Sequence, residues 1–167
     1  MTKDGRHKSF YFITAIIGIA LMILEISFYR KTIIPLKALF LVTIIPSIIV
    51  FFIIKSDYKR TYQVKNIFFP FLQSVASFGF ITCYCFIALN YYLADTNIQV
   101  KSCEILNKHS IGTRHSEPAV EINYDGTEKQ LVFNVGQQNL IDSSRYVLLT
   151  VKKGFFGYDI FSDVALK

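Results

Sequence analysis

Continuous apolarity and strict alternation divide this chain into two parts. Three apolar runs come first, Phe10 to Phe28, Ile33 to Ile54 and Ile67 to Leu93. Each approaches or exceeds the roughly 20 residues that a helix rising about 1.5 Å per residue needs to cross about 30 Å of hydrocarbon. They predict membrane-spanning helices over 10–29, 33–54 and 67–93 within a region 1–94, followed by a smaller β-domain over 95–167.

Past Asp95 the period becomes two. Ile98 to Leu106, Ala119 to Tyr124, Glu128 to Val135, Arg145 to Val151 and Tyr158 to Val164 read as five short strands. Asp125-Gly126 is the dipeptide of a two-residue type I′ hairpin turn. With those two residues as the loop, Tyr124 faces Thr127, Ile122 faces Lys129 and Val120 faces Leu131. Val120, Ile122, Tyr124, Leu131, Phe133 and Val135 then share one face, while Glu121, Asn123, Glu128, Gln130 and Asn134 point the other way. Five short antiparallel strands suit a small SH3-like or OB-like barrel or an open sheet. The expected fold is therefore membrane α plus β, three helices followed by a small antiparallel β-domain.

Local punctuation refines this picture. About four residues, Tyr29 to Thr32, join the first two runs and force an antiparallel helical hairpin. Pro35 is tolerated in the first turn of the second helix, whereas Pro46, at mid-span, removes a backbone hydrogen bond and should bend it. Phe155-Phe156 lie between Gly154 and Gly157 and read as a bend where the last strand folds over the core; an exposed aromatic lip is the alternative.

Charge adds orientation. Residues 1–94 carry ten basic and three acidic side chains, a net of +7, and residues 95–167 carry a net of −1 within the overall +6. Lys3, Arg6, Lys8, Lys55, Lys59, Arg60 and Lys65 flank one side of the runs; Arg30, Lys31, Lys101 and Lys108 flank the other. The positive-inside rule puts the amino terminus in the cytoplasm and, after three crossings, the β-domain outside. Basic residues that flank apolar spans do not form the stripe that nucleic-acid binding requires. The first run exceeds a 7–15-residue signal core and lacks a small-x-small site, so it reads as a retained helix. In layout alone the chain resembles many bacterial membrane proteins, which implies the bacterial inner membrane.

Candidate chemistry is sparse. Glu25 and Lys37 lie at similar depth on the first hairpin, and an ion pair between them would neutralise both charges. The third span is the most polar; Gln73 and Ser77 share a face, and Gly79 with Cys83 makes a small-x-x-x-small pair, so this face packs on another helix or lines a transport path. His109, His115 and Glu117 have no recognised metal-ligand spacing and read as a solvated connection. Cys83 and Cys85 fall within a span, and Cys103, the β-domain's sole cysteine, reads as a buried small residue. No phosphate loop, His-Glu-x-x-His or Cys-x-x-Cys occurs, so neither enzyme nor cofactor is expected. The expectation is an interaction or assembly module held on the bilayer, with an envelope or membrane protein as partner and homo-oligomerisation open. A transport or channel accessory subunit and an immunity-type membrane protein are the alternatives.

Overall fold

A computed structural model describes residues 3–111 and 117–167. It has three long apolar helices and a five-stranded antiparallel sheet, arranged in two compact units. The first unit comprises residues 1–29 and 34–90; the second comprises 30–33 and 91–167.

In the first unit, α1 (Lys3–Arg30) and α2 (Leu36–Tyr62) are continuous, and the third span is built from α3 (Phe68–Ser74), a π-helical turn (Val75–Gly79) and α4 (Phe80–Tyr92). All three are long and apolar enough to cross a membrane. Phe12, Phe40, Phe52 and Ile53 are among the many large apolar side chains left exposed on them, the composition expected where lipid is the solvent. Pro35 stands at the N-cap of α2, where its missing N–H costs nothing. The helix runs on through Pro46. Near this proline, Ser47 Oγ donates to Thr43 O at 2.6 Å, and Thr43 Oγ1 donates to Leu39 O at 2.8 Å.

Small residues allow the helices to approach closely. A Cβ at Gly18 of α1 would lie 2.8 Å from the Ser77 carbonyl oxygen and would overlap that of Ala76. At Gly79 it would overlap Ser47 Oγ and lie 3.2 Å from the Thr43 carbonyl oxygen. In lipid, where no hydrophobic force drives helices together, such backbone proximity supplies the packing. The π-helical turn places the Ala76 and Ser77 carbonyls against Gly18.

The second unit contains β1 (Ile98–Ile111), β2 (Glu117–Tyr124), β3 (Thr127–Val132), β4 (Tyr146–Lys153) and β5 (Asp159–Leu166), in the order β3-β2-β1-β4-β5. The sheet is open and curled, a half-barrel rather than a closed barrel. The β2–β3 register is the expected one, with Tyr124 opposite Thr127, Ile122 opposite Lys129 and Val120 opposite Leu131. Asp125 and Gly126 both take positive φ, 48° and 82°, as a type I′ turn requires.

The inner face buries Cys103, Val120, Ile122, Tyr124, Leu131, Phe133, Val147, Leu149, Val151 and Phe161, with Ile141 of the short helix α5 (Gln138–Ser143) closing one side. Val135 departs from the expected face and is exposed. β3 ends at Val132, and Asn134 then caps a 3-10 turn (Val135–Gln137) through reciprocal bonds with Gln137, which rotates Val135 outward. Glu121 is half-buried rather than fully exposed because its carboxylate accepts Asn107 Nδ2 at 2.9 Å.

The connection between α1 and α2 belongs to this β unit. Thr32 bridges Ile160 in antiparallel fashion, Ile33 N donates to Asp159 O at 2.8 Å, and Phe161 N donates to Lys31 O at 2.8 Å. What reads in sequence as a plain hairpin loop thus pairs with the otherwise free edge of β5.

Candidate functional site

Two features of the β unit stand out, and both follow from strand register. The first is a polar seam along the curl of the sheet. Opposed residues of an antiparallel pair share a face, so Lys129, opposite the fully buried Ile122, projects toward the core side. It ends half-buried, its Nζ donating to Thr32 O at 2.9 Å. Burial depresses its pKa to about 8.

Beside it, Tyr124 Oη donates to Asp159 Oδ2 at 2.7 Å, while Lys153 pairs with Asp159 Oδ1 at 2.8 Å. Burial alone would raise the Asp159 pKa, but these two donors override it and hold the carboxyl below its usual range. Burial, with the bond to Asp159, pushes Tyr124 up to about 12. Lys101 lies 4.5 Å above the Tyr124 ring and pairs with Asp125 at 2.7 Å, contacts that raise its pKa. The seam thus ties β2 and β3 to β5 and to residues 31–33, satisfying polar groups where the sheet fails to close.

The second feature is the outward face of β1 and β4. Val100 pairs with Thr150, Ser102 with Leu148 and Glu104 with Tyr146, all turned away from the core. Ile98, Val100 and Tyr146 are exposed, Val100 by 67%, and Leu148 is half-buried among them. A sheet with one packed face normally shows polar residues on the other; here an apolar strip remains uncovered.

The residues singled out in the spans are engaged locally. Glu25 Oε1 accepts Cys83 Sγ–H at 3.1 Å, and the expected Glu25–Lys37 ion pair is not formed among the described residues. Glu25 is directed toward the third span, whereas Lys37 is exposed. Gln73 Nε2 donates to Tyr11 O at 2.8 Å, and buried Ser77 donates to Gln73 O at 2.6 Å. These groups bind backbone carbonyls, and Gly79 meets α2. His7 pairs with Asp57 at 2.6 Å; Tyr11 and Arg60 donate to the same carboxylate at 2.9 and 2.7 Å.

His109 contacts Gln130, His115 lies outside the described residues, and Glu117 opens β2. No cluster of three metal-ligating side chains occurs among the described residues. Cys103 is buried, and burial raises its thiol pKa. The Lys129–Thr32 contact escapes sequence reasoning, although the hairpin register already places a lysine opposite a core isoleucine.

No protein-family model, curated protein or solved structure matches the chain. Three apolar helices and a β unit define the class, a small multi-pass membrane protein.

Proposed function

We propose that the β unit is a protein-binding assembly module and that the helices serve to anchor it at the membrane. The observation that carries this reading is the uncovered apolar strip of Ile98, Val100, Tyr146 and Leu148 on the outward face of a sheet whose other face is already packed. Such a strip is costly in water, and a partner that presents an apolar surface removes that cost. The module acts by binding rather than catalysis. Its partner is an envelope or membrane protein, and the distribution of basic residues supports an amino terminus in the cytoplasm with the β unit outside.

A transport role has less support, because Gln73 Nε2 and Ser77 Oγ donate to backbone carbonyls. The test is the size of the native complex extracted from membranes. Val100→Asp combined with Tyr146→Asp should shrink it to the bare protein, while Glu128→Ala on the polar outward face of β3 leaves it intact. An unchanged complex in the doubly substituted protein contradicts the proposal.

A further inference from the structure

The turn between β4 and β5 has its own geometry. Gly154 N donates to Tyr158 O at 2.9 Å and Gly157 N to Gly154 O at 2.8 Å, with Gly157 at φ +83°, so the chain reverses within a tight loop. Phe155 and Phe156 sit at its tip, edge to face at 5.0 Å, and are 60% and 42% exposed. They are not folded over the core. The tip of a tightly bonded turn therefore presents apolar aromatic surface to its surroundings.

The hydrogen bonds within the β unit identify which end of the sheet this turn occupies. Asp95 N donates to Lys153 O at 2.8 Å, so the segment entering β1 runs beside the end of β4 and beyond it in the direction of the turn. Asp95 is three residues past the last helical residue of the third span, Tyr92. The bonds from Ile33 N to Asp159 O and from Phe161 N to Lys31 O bring the α1–α2 connection to the same end, and Lys31 directly follows the last residue of α1. The chain leaves this unit for a membrane span at three places, before Arg30, after Ile33 and before Tyr91, and these bonds put the adjoining residues at the Phe155-Phe156 end of the sheet. Three extended residues reach about 10 Å at most, comparable with the roughly 5–8 Å headgroup layer on one side of a bilayer.

The surrounding charge fits a phosphate-bearing surface. Lys31 and Lys153 are exposed, Lys152 is half-buried, and Arg30 is exposed at the end of α1; Asp95 and Asp159 are the nearby acids, and Asp159 is already paired with Lys153. Apolar rings such as Phe buried at the headgroup–acyl boundary, beside basic residues that meet anionic headgroups, are how a surface segment binds a bilayer.

We propose that the β4–β5 turn is a lipid anchor, with Phe155 and Phe156 seated among the headgroups of the bilayer that the helices cross and Lys31, Lys152 and Lys153 facing lipid phosphates. The anchor is distinct from the apolar strip assigned to a protein partner, and each can fail without the other. It holds the β unit at the surface through a fourth point besides its three chain connections.

The chain contains no tryptophan, so one introduced residue reports alone. Full-length Phe155→Trp and, separately, Phe156→Trp proteins are placed one copy per nanodisc of mixed phosphatidylglycerol and phosphatidylcholine, which leaves lipid as the sole partner. Leu140→Trp serves as the control: Leu140 is exposed on α5, just before β4 starts, at the opposite end of that strand. Protection of buried Cys103 from thiol reagents verifies folding in each variant. The anchor requires that emission from at least one turn variant lie to the blue of the Leu140→Trp emission and be quenched by lipids brominated on their acyl chains, with Leu140→Trp unquenched. Unquenched emission from both turn variants, matching the control, overturns it; so does equal quenching at all three positions.

Discussion

Replacing Lys129 by Met keeps most of the side chain's length and removes both its charge and its bond to Thr32 O; the bond is lost at every pH, so the pH dependence of the difference isolates the charge. The folded chain holds Lys129 at about 8, whereas an unfolded chain titrates near the ordinary value of about 10.4. Between those values the unfolded chain carries the extra proton, so raising pH favours the folded state. The neutral amine still donates to Thr32 O, and only the penalty of burying charge is relieved. A full difference of one proton is worth about 1.4 kcal/mol per pH unit; partial solvent screening of a half-buried group reduces the expected gain to about 1 kcal/mol between pH 8 and 10. Cys103 works in the opposite direction, because its thiol is raised by burial and folding then opposes its ionisation as pH rises. The Lys129 contribution is therefore read from the difference between the two proteins. The rate of thiol labelling at Cys103, buried in the same core, measures opening of the β unit. Labelling of the native protein relative to Lys129→Met should fall about fivefold from pH 8 to 10, the equivalent of about 1 kcal/mol. A constant ratio across that window refutes the assignment of Lys129 to a buried seam.

Phe133→Ala should destabilise the β unit by about 3–4 kcal/mol, since the ring is nearly fully buried, while Glu128→Ala leaves it unchanged; equal proteolytic sensitivity of the two contradicts the face assignment. Gly18→Val should cost about 1–3 kcal/mol or separate the first and third helices, because the added Cβ meets the backbone carbonyls of Ala76 and Ser77, and wild-type thermal stability in detergent would show that no such contact exists. A reporter active only outside the cytoplasm, fused after Lys167, should be active; its silence, with cytoplasmic labelling of the β unit, reverses the proposed orientation.

The parts legible in the sequence are those with a sustained period. Nineteen or more residues of apolarity broken only by isolated polar positions such as Glu25, Lys37 and Gln73 mark a helix whatever its neighbours do, and Asp125-Gly126 between alternating strands fixes a register that the structure reproduces pair by pair. The unread parts depend on distant partners. Lys31 to Ile33 are too few to carry any periodicity, and only the folded β5 reveals their pairing with its edge. Glu25 and Lys37 match in depth, but depth says nothing of helix rotation, and rotation gives Glu25 to Cys83. The β3 boundary shifted because a capping exchange between Asn134 and Gln137 outweighed three more residues of alternation. The outward strip was implicit in the alternation of β1, yet the pairing with β4 was needed to join Val100, Leu148 and Tyr146 into one surface.

The most direct test of the binding role uses a photo-crosslinking amino acid at Val100, on the strip, and at Glu128, on the polar outward face of β3, in cells making the full chain. The account predicts one discrete protein adduct from position 100, lost when Tyr146→Asp is added, and none from position 128. Absence of an adduct at 100, or equal adducts at both positions, contradicts it.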